Sequence, residues 1–157
     1  MNHQKGNLVS YVRRGVILQQ VNAQGVMGSG IAKDIRERWP AVWEAYSAEV
    51  QPPRSVSPGR GAEHLGKVIP VQVEPDLWVY NLVGQQFYGR DERRYTSYDA
   101  LDTALARAGQ IARLTGLFHY DFHHPYMGCG LGGGYWPVVA ALIEHHIGPD
   151  TTLWSLD

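Results

Sequence analysis

A single cysteine, Cys129, stands in 157 residues. That excludes a disulfide framework and a CxxC zinc pattern. Charge of one sign is missing too: 14 Lys and Arg offset 15 Asp and Glu, for a net charge of −1. The balance argues against a basic nucleic-acid footprint, though not against binding at a nucleic-acid end. No apolar run is long enough to cross a membrane, and Met1-Asn2-His3-Gln4-Lys5 has no apolar leader core. A soluble cytoplasmic protein is expected. There is no internal repeat and no GxxxxGKS/T, which argues against a P-loop nucleotidase. The length suits one domain, spanning residues 1–157, with room for a proper core.

What the sequence has in quantity is glycine, 18 residues of it. The stretch Val21-Asn22-Ala23-Gln24-Gly25-Val26-Met27-Gly28-Ser29-Gly30-Ile31-Ala32-Lys33 organises the rest. Before it, Gly15-Val16-Ile17-Leu18 reads as a buried strand. After it, Ile31 to Trp39 carries apolar residues at helical spacing and stops at Pro40. Three glycines thus sit between a strand and a helix. There the backbone can approach a ligand closely, and the helix offers unpaired N–H groups at the positive end of its dipole. Such a turn suits a phosphate. The other reading is a tight turn packed for its own sake.

A second turn of the same kind adds weight. Met127-Gly128-Cys129-Gly130-Leu131-Gly132-Gly133-Gly134 follows a strand predicted over Phe118–His123. It precedes a helix predicted over Tyr135–Glu144, with Pro137 in its first turn, where a missing N–H costs nothing. Two such turns at one sheet edge could grip a diphosphate from both sides. The first has its glycines as GxxGxG rather than GxGxxG, and no acidic residue ends a strand about 20 residues on, so a Rossmann site is not indicated.

Together the two turns resemble those of a macrodomain, the ADP-ribose-binding module. Residues 21–32 match its first ligand loop, and Gly128-Cys129-Gly130-Leu131 opening a glycine run matches its second. Gly6-Asn7-Leu8 upstream and the spacing also fit, so the resemblance covers nearly the whole chain. It is closest to the stand-alone bacterial and phage branch that processes ADP-ribose-1''-phosphate. The segment Asn81-Leu82-Val83-Gly84-Gln85 with Tyr88-Gly89-Arg90 and Arg94-Tyr95 resembles that branch as well. The protein ADP-ribose glycohydrolases and DNA-deribosylating antitoxins are neighbouring groups. The resemblance implies a three-layer α/β/α sandwich around a mixed sheet of about six strands, with the ligand at the strand ends. It also implies a cytoplasmic monomer in a bacterium or phage-infected cell, with no cofactor and no metal.

The remaining chain is read around that frame. Asn7 matches the place where macrodomains carry an Asp that accepts a hydrogen bond from the adenine amino group. An amide oxygen can accept the same bond without charge; otherwise Asn7 is a turn residue. Trp43 and Tyr46 are expected in the core. Residues 51–66, rich in Pro and Gly, read as a surface loop. Lys67–Val73 and Leu77–Val83 read as strands of a hairpin turning at Glu74-Pro75-Asp76. Gly84 to Tyr95 is a lid carrying Tyr88 and Arg90 toward the distal ribose, or else a solvated loop. Thr96 is expected to cap a helix running to Leu114, with Asp99 completing a box-like pattern and Gly116 ending it. His123-His124 and His145-His146 are adjacent pairs, poorly placed to share a metal. Thr151–Leu156 is a last strand; Trp154 and Leu156 match the region that packs on adenine, and Trp154 reads equally as core.

The expected ligand contacts are Asn7 and Leu8; Asn22 on the distal ribose hydroxyls; Gly25, Val26, Met27, Gly28, Ser29, Gly30 and Ile31 in the first loop; Gln85; Gly128, Cys129, Gly130, Leu131, Gly132, Gly133 and Gly134 in the second; and Trp154 and Leu156. Catalysis is less marked. No CxxxxxR phosphatase loop contains Cys129, and no acidic cluster suggests a two-metal phosphatase. The glycohydrolases use a Lys and an Asp where this chain has Gly84 or Gln85, and Gly132. The branch's acidic residue before the second-loop Trp is here Tyr135, a poor general base at neutral pH but able to orient water. The expected activity is metal-independent hydrolysis of ADP-ribose-1''-phosphate, with Tyr88, Arg90 and Tyr135 positioning water or neutralising charge. A non-catalytic reader of ADP-ribose or a related nucleotide signal is the alternative. A third reading is ADP-ribosyl hydrolysis from protein or nucleic-acid ends.

Overall fold

The computed structural model describes residues 1–157. Gly15–Asn22 forms the central strand, β2, because its side chains are apolar on both faces and both faces are covered. Ile17 and Val21 point into one core; Val16 and Leu18 point into the other. The same alternation runs along β4 (Leu77–Gln85): Leu77, Val79 and Val83 on one side, Tyr80 and Leu82 on the other.

Around these lie β1 (Asn2–Lys5), β3 (Val68–Glu74), β5 (Phe122–His124) and β6 (Thr152–Ser155). The six strands are ordered β1-β6-β5-β2-β4-β3. Only β3 runs antiparallel, paired with β4 in the hairpin expected from the sequence; the others are parallel. Helices α1 (Leu8–Tyr11), α2 (Gly30–Arg38) and α3 (Pro40–Glu49) cover one face. Helices α4 (Tyr98–Leu114) and α5 (Trp136–His146) cover the other. This is the three-layer sandwich with a mixed sheet. No helix is long and apolar enough to cross a membrane.

Two local expectations are revised, and one strand is added. Leu117–His119 forms a single 3-10 turn, so β5 begins only at Phe122. The cap of α4 is Ser97, whose side chain accepts from the Ala100 N–H; Thr96, one residue earlier, spends its hydroxyl on the Gly128 carbonyl at 2.7 Å. β1 carries no apolar alternation and is exposed throughout; it exists through its pairing with β6.

Because β2 and β5 are parallel neighbours, their carboxyl ends lie side by side. The connection from β2 to α2 and the connection from β5 to α5 therefore open at one sheet edge. That adjacency positions the site.

Candidate functional site

The two glycine turns line a single cavity of about 1150 Å³. In the first turn Asn22 is the organiser. Its Nδ2 donates to the Val26 carbonyl at 2.7 Å, and its Oδ1 accepts from the N–H groups of Gln24 at 3.0 Å and Val26 at 3.4 Å. Gly25 makes the bend with a φ of +77°, and a Cβ there would stand 2.6 Å from the Val50 carbonyl oxygen. Past the bend the chain extends into α2. Ser29 occupies the cap position yet makes no side-chain cap bond. The N–H groups of Met27 through Ala32 donate to no protein acceptor.

The second turn is held by its carbonyls. Gly132 O accepts from the N–H groups of Tyr95 at 2.8 Å and Thr96 at 2.9 Å. Gly128 O accepts from the Gly134 N–H at 2.8 Å and from the Thr96 hydroxyl. With those carbonyls turned toward the protein, the N–H groups of Gly130, Leu131 and Gly132 are left without acceptors beside the cavity. Two sets of unpaired backbone donors, one at the start of a nine-residue helix, thus face one space. Chemically this arrangement can hold a group with several anionic oxygens.

Gln20 ties the floor together. Its Nε2 lies 2.7 Å from Gln85 Oε1 and 2.8 Å from Thr96 Oγ1. Its own Oε1 is buried without a donor. A Cβ at Gly84 would stand 2.4 Å from that oxygen, so the space beside Gly84 is filled by the Gln20 side chain.

Of the residues expected from the sequence, Asn7, Leu8, Asn22, Val26, Met27, Gly28, Ser29, Gly30, Ile31, Gln85, Tyr88, Arg90, Gly128, Gly130, Leu131, Gly132, Trp154 and Leu156 line the cavity. Arg90 has no carboxylate within ion-pair distance. The segment carrying it is braced by Tyr95, which donates to Asp91 Oδ1 at 2.6 Å, and by the Arg93–Asp91 ion pair at 3.1 Å.

Five expected residues lie outside the cavity wall. Gly25 faces Val50 and Pro52. The thiol of Cys129 points to the Met127 carbonyl at 3.4 Å, and burial pushes its pKa up to about 11, so it stays a thiol at neutral pH. Gly133 packs on the Arg93 and Arg94 backbone, and Gly134 packs on Gly128. Tyr135 is 66% exposed and precedes α5; its N–H donates to the Tyr98 hydroxyl at 3.0 Å. Tyr135 therefore holds the loop to α4 and leaves Tyr88 and Arg90 as the candidates for catalysis.

Sequence reasoning missed Gln20, Lys33, Asp34, Gly89, Pro125, Tyr126, Ser155 and Asp157, all on the cavity wall. Asp34 had a readable signal: it lies four residues beyond Gly30, on the same helix face. Trp154 is both wall and packing. Tyr11 stacks on it at 5.9 Å and 10°, and its Nε1 donates to His123 Nδ1 at 3.1 Å.

No family model matches the chain, and no curated protein does. Solved structures do. A macrodomain protein from Streptomyces coelicolor is 28% identical, with a TM-score of 0.73 over 98% of this chain and 97% of that one. The fold is that of a macrodomain. A Bacteroides thetaiotaomicron protein, 25% identical, superposes on this macrodomain fold with a TM-score of 0.79 over 98% of both chains. The structure described as Thermosipho africanus DarTG in complex with ADP-ribose is 16% identical, with a TM-score of 0.71 over 98% of this chain and 41% of that one. Within the macrodomain architecture, the cavity lies at the carboxyl ends of the parallel strands, where ligands of open α/β sheets bind.

Proposed function

We propose that this chain binds ADP-ribose derivatives with the diphosphate on the two glycine loops. We further propose that it hydrolyses ADP-ribose-1''-phosphate to ADP-ribose and phosphate without a metal ion. The observation that carries the reading is the pair of unpaired N–H sets facing one cavity. Each charge-assisted bond contributes roughly 1.5–3 kcal/mol. The Thermosipho structure, of the same fold, is described with ADP-ribose.

In the proposed reaction a water oxygen attacks the phosphorus. The bond from phosphorus to the 1'' oxygen breaks, and that oxygen leaves with a proton. The unpaired Arg90 offsets charge gathering on the phosphoryl oxygens, and the Tyr88 hydroxyl orients water. No group of three or more His, Cys, Asp or Glu gathers anywhere in the chain, which favours a route through positioning.

A reader without chemistry is the second reading. It is favoured by the scarcity of acids on the wall, Asp34 and Asp157 alone, and by the space at Gly84 being filled by Gln20. Phosphorus NMR of ADP-ribose-1''-phosphate with stoichiometric protein in EDTA separates the two. A growing free-phosphate signal with ADP-ribose left behind supports the hydrolase. Shifted diphosphate signals with no new species over hours support the reader. Sharp, unmoved signals overturn both.

A further inference from the structure

We propose that Gln20, on β2, is a positioning residue that clasps both feet of the loop carrying Tyr88 and Arg90, and that through this loop it governs recognition of the ribose beyond the diphosphate. The inference rests on the ADP-ribose reading above and deepens it.

Residues 86–95 leave the sheet at Gln85 and return at Thr96, and those two residues face each other across an antiparallel bridge. The loop brings Tyr88, Gly89 and Arg90 to the cavity wall. One amide reaches both of its feet. Gln20 Nε2 lies 2.7 Å from Gln85 Oε1 and 2.8 Å from Thr96 Oγ1. An amide nitrogen carries two hydrogens, so each foot takes one.

The direction of these bonds is fixed from the far ends. The Phe87 carbonyl can only accept, so Gln85 Nε2 donates to it at 2.7 Å and Gln85 turns its Oε1 toward Gln20. The Gly128 carbonyl takes the single hydrogen of the Thr96 hydroxyl at 2.7 Å, which leaves Thr96 Oγ1 an acceptor. Both feet therefore need a donor, and Gln20 supplies both. One relay ends on the residue before Tyr88; the other ends on the second glycine loop.

Seating this amide has a cost. Its Oε1 is buried without a donor. A Cβ would stand 2.4 Å from that oxygen at Gly84 and 2.8 Å from it at Gly128, so two glycines make its room. An apolar side chain would avoid the unpaired oxygen; what the amide adds is its two donors. They project from a strand paired along its length with β4, which gives the loop a fixed footing. A loop already held at both feet loses less freedom when a ligand closes under it.

The diphosphate loops have other supports. Asn22 and Tyr46 hold the first turn, and the Tyr95, Thr96 and Gly134 N–H groups hold the second through its carbonyls. None of these bonds passes through Gln20. Loss of the clasp therefore reaches Tyr88 and Arg90 before it reaches the diphosphate donors.

The test is calorimetry with ADP-ribose and with ADP on the wild type, Gln20→Met and Gly84→Ala. ADP keeps the diphosphate and lacks the second ribose. Met has the length of Gln without its donors, and the Ala methyl pushes the amide aside from the β4 side. In each variant the affinity for ADP-ribose is expected to fall about tenfold while that for ADP stays within about twofold. Thermal melts establish that each variant is folded. An equal loss for both ligands in a folded variant, or no loss, overturns the positioning role and leaves the ADP-ribose reading standing. Unfolding of both variants assigns Gln20 to the fold alone and does the same. Binding of neither ligand by the wild type overturns both.

Discussion

The Tyr46 hydroxyl lies 2.7 Å from the Asn22 carbonyl oxygen and 3.0 Å from the Asn22 side-chain Oδ1. Tyr46 is fully buried on α3, and burial pushes its phenol well above the ordinary tyrosine range. A neutral hydroxyl thus pins the end of β2 to the helix layer, and through Asn22 it fixes the first glycine turn. Removing it leaves the Asn22 carbonyl short of a donor. Tyr46→Phe should lower unfolding free energy by about 1–2 kcal/mol in urea denaturation. It should also weaken ADP-ribose binding, because the turn loses its peg.

Gly28 separates folding from binding. A Cβ there meets only Val26 Cγ1, at 4.0 Å. Gly28→Glu should melt within about 2 °C of the wild type. It places a carboxylate where the diphosphate is proposed to lie, and like charges in contact cost several kcal/mol, so binding should fall by about 100-fold or more. Calorimetry beside a melting curve reads both effects.

The second loop has one tolerant glycine and one intolerant one. A Cβ at Gly132 would stand 2.7 Å from both the Gly128 carbonyl oxygen and Thr96 Oγ1, whereas at Gly130 it meets open space. Gly132→Ala should destabilise by about 1–3 kcal/mol. Gly130→Ala should stay within about 0.5 kcal/mol. Equal losses in denaturation would contradict the anchoring described for this loop.

His124 sets an acid limit on stability. It is fully buried, with Nδ1 3.0 Å from the Pro125 carbonyl and Nε2 2.9 Å from the Thr151 hydroxyl. A carbonyl only accepts, so Nδ1 carries the proton and Nε2 accepts from Thr151, which is the neutral form. Burial lowers its pKa to about 4, and His123 is lowered for the same reason. Between the unfolded value near 6.5 and about 4, the unfolded chain binds protons that the folded chain does not, so stability falls as pH falls through that window. The loss assigned to His124 is roughly 3 kcal/mol from pH 7 to pH 4. His124→Gln should flatten that part of the stability profile measured by denaturation.

The glycine turns were legible because their neighbours were. β2 and α5 are strongly apolar, so the loops between elements stood out, and both turns lie on the cavity. Less was legible where long-range pairing decides. β1 has no pattern of its own and needs β6, where His3 pairs with Leu153 at the far end of the chain, to become a strand. The Thr96 hydroxyl looked like a cap from its local sequence, but the Gly128 carbonyl claims it across the fold. Tyr135 stood beside the glycine run in sequence while facing solvent in space, since the loop turns its carbonyls inward and its end outward. Asp34 was passed over as one charge among several on α2. Its place four residues beyond Gly30 puts it on the cavity side of the helix, and the packing of α1 against α2 brings Asn7 to it.

The central claim is that both glycine loops hold the diphosphate of ADP-ribose, and calorimetric titration of the wild-type protein with ADP-ribose tests it most directly. The account predicts one molecule bound per chain at micromolar affinity, about −8 kcal/mol. No heat of binding up to millimolar ligand would contradict it.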